Sequence, residues 1–371
     1  MKTLQNNKKY IISLIISIAI ALLIGAILMA VSGFSPIEGY GAMIDGAIGS
    51  PRLLGNTIEK SMELCLLGLA TAIGAKGGLF NVGGEGQLFV GALFSTMIGL
   101  WLSDLPTFLV IIIAVIVSIV TGGIYALIPA LLKTKLNVDE VITTIMLNTV
   151  AIKVCTYFVN GPWNSPLKSI SQGTDYIDKS IVFSKIIQGS NLSTSFFIGT
   201  VVTVFMWFLM KKTTVGLEIN VTGENKRFSF FSGLKANKLM VTSMIISGAI
   251  CGLVGMMLIY GYQGHMTQSA SNEYYFDGML VAMIMNYNPI GIIIMSFFFG
   301  FMATGATMMD MQVGISVQLY DVIFSIIIFL MAAQTGIMVW LENRKTQKKA
   351  KQLAEEKAKG LVEETAGKEA E

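Results

Sequence analysis

Residues 78–87 read GLFNVGGEGQ and interrupt two apolar runs, Leu64–Ala75 and Leu88–Leu102. Gly77, Gly78, Gly83, Gly84 and Gly86 crowd ten positions, beside the carboxylate of Glu85 and the amides of Asn81 and Gln87. A spanning helix avoids such residues. In hydrocarbon an unpaired backbone group costs several kcal/mol, so a segment of this kind survives only inside protein or against a water-filled passage. Glycine-broken apolar segments are also the sequence mark of a transport path. The stretch therefore reads as a re-entrant lining of a route across a membrane.

The surrounding chain agrees with that reading. Of 371 residues, 53% are hydrophobic and 13% charged, against about 25% charged in soluble domains. Run length carries more weight than composition. Tyr10–Ile37, Leu105–Leu132, Ile186–Met210, Leu239–Gly264, Gly278–Met309 and Val322–Leu341 hold no Asp, Glu, Lys or Arg, and a span needs about 20 apolar residues. The expected fold is an all-α polytopic membrane protein. Cys65, Cys155 and Cys251 lie in or beside apolar runs with no CxxC pair, which makes them packing thiols. Lys2, Lys8 and Lys9 precede the first run as in a signal peptide, but the run exceeds an h-region, so it is expected to stay as the first span.

Ten spans fit best, near 10–32, 53–75, 86–103, 107–132, 140–160, 193–210, 239–261, 276–287, 289–308 and 317–338. The second is awkward, because Glu59, Lys60 and Glu63 fall in its first turns, either at the interface or paired with one another. With the N-terminus inside, inner segments hold twelve Lys and Arg before the tail and outer segments five. Both termini are thus expected in the cytoplasm, with Lys153 snorkelling to the outer surface. Five spans per half, 10–160 and 193–338, make the second half enter from the opposite side as an inverted repeat. Tyr274-Tyr-Phe-Asp-Gly ahead of the eighth span echoes Gly78-Leu-Phe-Asn-Val-Gly-Gly ahead of the third. The permease domain is placed at 1–341, with an outer loop at 161–188, an inner loop at 211–238 and a charged, solvated, disordered tail at 342–371.

Two readings stand for the broken segment. Asn81 and Glu85 satisfy backbone donors and shape the turn, or Phe80, Asn81, Gly84, Glu85 and Gln87 border the solute path. Asp277 likewise caps the eighth span or touches solute, since acids inside a membrane are functional candidates by default. In the inner loop a short helix is expected from an N-cap at Thr222 to Ser232, stopped by Gly233, with Phe228 and Phe231 on one face and Lys226 and Arg227 wet. That face lies against its own bundle or the lipid, or it docks into another protein. Asn137-x-x-Glu140 reads as a capping box for the fifth span, and His265, the only histidine, as a loop residue. There is no GxxxxGK[ST], HExxH or GxSxG and no cluster of metal ligands, so neither ATP binding of the P-loop kind nor hydrolase or metal chemistry is expected in this chain.

GLFNVGGEGQ at 78–87, NVDEVITTIMLN at 137–148, TVGLEINVTGEN at 214–225, SGAICGLVG at 247–255 and FDGMLVAMIMNYNPIG at 276–291 resemble, in order and spacing, bacterial ABC-transporter permeases of the branched-chain amino acid and simple-sugar group. The nucleoside branch is the most similar, over nearly all of the chain to about residue 338. The resemblance implies a type II importer-like fold and a pair of permease subunits, the second a different but related chain. It also implies two cytoplasmic ATPases that bind ATP-Mg, no cofactor in this chain, and an extracytoplasmic solute-binding lipoprotein. The bilayer is the remaining partner, and nucleic acid is not one. The coupling element would be Gly223, Glu224, Asn225, Phe228, Phe231 and Gly233. Relatives carry a run like GENPEAARYAG where this chain has GENKRFSFFSG, which suggests a docking face tailored to one ATPase. Tyr275 and Phe276, with Phe80, would stack on a base, and Asn81 or Gln87 would bond a ribose. The other class to weigh is an ion-coupled secondary transporter, for which Glu85, Asp277 and Asp321 are the available acids.

Overall fold

The computed structural model of the protein describes residues 2–166, 172–268, 270–271, 273–319, 321–330 and 344. Regular structure among them is helical, apart from two isolated β-bridges. The chain divides into two compact units. One takes Met1–Pro36 and Gln318–Glu371 and contains α1 (Lys2–Val31) and the helical residues 321–330. The other, Ile37–Val317, contains the elements treated below. The tail expected at 342–371 lies outside the described residues except for Arg344.

In the larger unit, α2 (Pro36–Ile48) leads into α3 (Pro51–Lys76), α4 (Gly84–Trp101), α5 (Thr107–Leu136) and α6 (Glu140–Asn160). After the connection that follows α6 come α7 (Ser195–Lys212), α8 (Thr214–Glu224), α9 (Lys226–Phe231) and α10 (Ala236–Leu258). A π-helical turn (Ile259–Gln263), α11 (Tyr274–Ile284) and α12 (Pro289–Val313) complete the unit. Among the described residues six helices are long and apolar enough to cross a membrane: Leu14–Val31, Thr107–Leu136, Glu140–Asn160, Ser195–Lys212, Ala236–Gln263 and Pro289–Val313. The expected eighth span, 276–287, is the eleven-residue α11. At 1.5 Å per residue it covers about 16 Å, roughly half of the hydrocarbon thickness. α2 was not expected. Its buried Gly39, Ala42, Met43, Gly46 and Ala47 recur at helical spacing, and it packs on α12 where Gly46 meets Met308 and Gly305 meets Met43.

α10 is the core helix. Its span is 78% buried, against 28% for α5 and 22% for α6 and α7, whose outer faces carry the exposed Ile, Val and Phe expected toward lipid. Small residues let it approach its neighbours. A Cβ built on Gly252 would stand 2.2 Å from the Ser118 carbonyl oxygen, one on Gly122 2.3 Å from the Gly248 oxygen, and one on Gly255 2.2 Å from the Leu88 oxygen. Ser118 and Gly122 on α5 face Gly248 and Gly252 on α10, a small-xxx-small seam on both sides.

Local signals set most helix ends. Ser50 caps α3, accepting from Leu53 N at 3.3 Å ahead of Pro51, and Asn288 caps α12, accepting from Ile290 N at 3.2 Å ahead of Pro289. The capping box expected from Asn137 and Glu140 is corrected. Asp139 is the N-cap of α6, its carboxylate accepting from Val141 N at 2.9 Å and Ile142 N at 3.1 Å. Asn137 instead ends α5 in the left-handed region at φ 53°, and Glu140 pairs with Lys133 at 2.8 Å. α11 is bracketed by left-handed residues, Glu273 before it and Asn286 and Tyr287 after it. His265 sits in a connection, its Nδ1 3.0 Å from the Gln263 oxygen and its ring against Tyr176.

The seam generates a stability prediction. Gly252→Val forces methyl groups into the α5 backbone and is expected to cost at least about 3 kcal/mol, read as earlier loss of monodisperse protein on heating in detergent. Gly41→Ala on α2, whose Cβ meets nothing within 4 Å, is expected to be neutral or to stabilise by ~0.5–1 kcal/mol in the same assay.

Candidate functional site

The glycine-rich stretch folds as a true interruption. α3 stops at Lys76, Gly78 turns the chain at φ 82°, and α4 begins only at Gly84. The backbone between has no helical ladder, and side chains replace it. Asn81 accepts from Gly83 N at 2.9 Å, and its amide donates to Gln87 Oε1 at 2.8 Å and to Ser247 Oγ of α10 at 2.9 Å. Asn148 of α6 accepts from Gly86 N at 2.8 Å and donates to the Val82 oxygen at 2.8 Å. The Tyr275 hydroxyl of α11 donates to the Asn81 oxygen, and Glu85 accepts from Tyr275 N at 3.1 Å. Gly84 is required by contact: its Cβ would fall 1.9 Å from the Tyr275 ring.

The structure thus brings together Asn81, Gly84, Glu85, Gln87 and Tyr275, all buried and engaged with protein partners. Phe80 and Phe276 stand at the edge of this cluster, each half-buried, with the Phe276 ring edge-on to Tyr275. Asp277, in the first turn of α11, is half-buried and close enough to attract the Lys60 ammonium, as does Glu85.

Beside the cluster lies a cavity of about 610 Å³ at the N-terminal end of α3, a size suited to a small-molecule site. Asn56, Glu59, Lys60 and Glu63 of α3 form one wall, Tyr262 and Tyr274 another, and the Ala303–Met311 stretch of α12 a third. None of the eight path candidates from the sequence lines it; Tyr274, the neighbour of Tyr275, does. Of the two arrangements expected for the α3 charges, the pairing with one another is not formed. Glu59 and Glu63 are each 1% exposed, and among the described residues no carboxylate is within ion-pair distance of Lys60. Its ammonium instead stands over the Tyr274 ring, 2.7 Å from the centroid. One oxygen of Glu59 accepts from Ser195 at 3.0 Å, and the Tyr262 hydroxyl lies beside Glu63. The missed signal was spacing: positions 56, 59, 60 and 63 fall on one helix face.

At the opposite end of α3, α8 and α9 form a bent pair. The expected helix from Thr222 is corrected. Thr222 is buried within α8, its hydroxyl 2.9 Å from Ser229, and Asn225 is the N-cap of α9, accepting from Phe228 N at 2.9 Å. Phe228, Phe230 and Phe231 are 58%, 71% and 84% exposed, next to an open groove lined by Lys226, Arg227, Lys235 and Lys238. Glu224 and Asn225 are exposed at the bend, and Gly233 closes α9 at φ 80°. Gly223 packs backbone on backbone against the end of α3: its Cβ would be 2.2 Å from the Lys76 oxygen and 2.8 Å from Gly78 N.

The nucleoside ABC transporter permease protein NupB of Lactococcus lactis is 33% identical over 353 residues, 93% of this chain and 97% of its own length. The guanosine ABC transporter permease protein NupP of Bacillus subtilis is 32% identical over 87% of this chain and 93% of its own. The glucose ABC transporter permease protein TsgB13 of Haloferax volcanii is 24% identical over 85% of this chain and 86% of its own. In both the Lactococcus and the Bacillus strain a second permease with the same transporter name also matches. No solved structure matches this chain. The family model for the permease component of branched-chain amino acid transport systems covers residues 53–332, and the chain belongs to that family of multi-pass ABC transporter permeases.

Proposed function

We propose that this chain is one permease subunit of an ATP-driven importer that carries nucleosides, or a related simple sugar, across the cell membrane by alternating access. The carrying observation is identity of 33% and 32% along almost the whole chain to permeases named for nucleosides and guanosine. The second permease is a related chain, as the paired relatives in two organisms suggest. ATP-Mg binds to separate ATPase subunits, and an extracytoplasmic binding protein delivers the solute. About ten spans in two inverted five-helix halves, with both termini in the cytoplasm, accord with the Lys and Arg distribution.

α8 and α9 are the coupling element in this reading. Three exposed phenylalanines in a six-residue helix beside Lys226 and Arg227 make an apolar anchor with a basic rim, the composition of a protein interface centre. Gly223 joins this pair to the turn at Gly78, so a displacement of the cytoplasmic helices bears directly on the broken segment. Asn81, Gly84, Glu85, Gln87 and Tyr275 hold that segment to α6, α10 and α11, while Phe80, Phe276 and Asp277 flank the path.

Two outcomes are expected. Membranes holding this chain alone neither take up nucleoside nor hydrolyse ATP, and co-expression with the ATPase, second permease and binding protein gives ATP-dependent uptake of labelled guanosine. Phe231→Asp leaves the amount of permease in the membrane unchanged but weakens ATPase association by at least about tenfold, as loss of an aromatic anchor does. Unaltered association in a pull-down from detergent would move the coupling face elsewhere.

A further inference from the structure

The group that the fold leaves least satisfied is neither in the glycine-rich segment nor on the cytoplasmic helices. Glu59 Oε2 and Glu63 Oε2 are buried without a hydrogen-bond partner, as is Lys60 Nζ, and all three residues line the cavity beside α11. Two carboxylates one helical turn apart repel each other, and burying their charge is costly unless something pairs with it. A satisfied structural role would have left both oxygens of each carboxylate bonded, as the amides of Asn81, Gln87 and Asn148 are. Glu59 itself shows the contrast. Its Oε1 is held by Ser195, which is in turn 2.7 Å from Ser193, so the side chain is fixed in place while its second oxygen is buried with its bonding capacity unmet.

We propose that Glu59 and Glu63 are the solute-contacting residues of this cavity, accepting hydrogen bonds from two donors on a neutral, ring-bearing solute while Tyr262 and Tyr274 flank it. The inference rests on the importer reading and adds to it the place and chemistry of contact. Side chains at i and i+4 have Cβ atoms about 5–6 Å apart, a separation that lets one carboxylate meet each of two donors on a single ring. Sugar hydroxyls and base N–H groups both supply such donors. Arg52 and Lys60 balance Glu59 and Glu63 in the lining, and Lys60 is drawn toward Glu63, Asp277 and Glu85, so the chamber has no cationic excess to recruit a phosphorylated solute. Asn56 helps to hold the mouth in shape, its Oδ1 accepting from Asn191 N at 2.7 Å.

The test uses the complete transporter in proteoliposomes, with ATPase, second permease and saturating binding protein, and reads uptake of labelled guanosine together with ATP hydrolysis. Glu59→Gln and Glu63→Gln are expected to lower uptake by about tenfold, the worth of one charged hydrogen bond. ATP hydrolysis continues, so more ATP is spent per guanosine moved. Ala303→Phe fills the cavity from α12 without touching either acid and should block uptake while the complex still assembles. With 2′,3′-dideoxyguanosine, loss of the variants' effect assigns the donors to the sugar, and an unchanged effect assigns them to the base. If both Gln variants and Ala303→Phe transport guanosine within about twofold of the native rate, against the tenfold expected, the cavity is not the contact site. Uptake driven by a proton gradient without ATP would overturn the proposal by assigning the acids to ion coupling. A native complex that moves no guanosine fails the importer reading instead, which is a separate result.

Discussion

Backbone buried without a helical ladder must be matched group by group, and residues 81–86 are where this protein meets that constraint. Asn81, Gln87, Asn148, Ser247 and Tyr275 come from the segment itself, α6, α10 and α11, and between them they satisfy the Asn81 and Val82 carbonyls and the Gly83 and Gly86 amides. Each unmade bond at such depth costs on the order of 1–3 kcal/mol. The interruption is therefore affordable only because three helices converge on it, and their positions follow from it. Gly84 could not tolerate a side chain while Tyr275 fills the space above it.

This node stands midway along a continuous line of contact. The bend between α8 and α9 touches the α3 terminus through Gly223, the chain turns at Gly78, and Asn81 then receives the hydroxyl of Tyr275. The residue before it, Tyr274, carries the ammonium of Lys60 on its ring at the cavity wall. Adjacent residues of one short helix thus face two different places, the packed node and the open chamber. A glycine at 223 and another at 78 keep the first joint of this line free of compressible side chains.

Much of this was legible in the sequence, and the parts that were not have physical reasons. The break at 78–87 announced itself because glycine and amides have no business in a lipid-facing helix, and the seam helices were visible as charge-free runs. Asn81 and Glu85 carried two readings, and only the partners from α10 and α11, distant in sequence, tell where their bonds go. Caps were misplaced by two or three residues: Asp139 rather than Asn137, and Asn225 rather than Thr222. Several residues with capping side chains stood in a row, and the choice among them depends on where the preceding helix lets go. The acids of α3 were noticed as awkward but not placed, since a polar stripe on one helix face does not reveal whether it meets headgroups or a chamber enclosed by α11 and α12.

The left-handed residues on either side of α11 have a mechanical meaning. α5 and α10 are locked carbonyl to glycine along their seam and cannot slide without losing contact everywhere at once. α11 is only eleven residues long, with sharp corners at Glu273 and at Asn286–Tyr287. Between its two elbows the short helix is set just as closely on α3, where a Cβ on Gly278 would stand 2.6 Å from Leu67 Cβ and 3.2 Å from the Leu64 oxygen, so a displacement of α3 carries with it the tyrosines of both the packed node and the chamber.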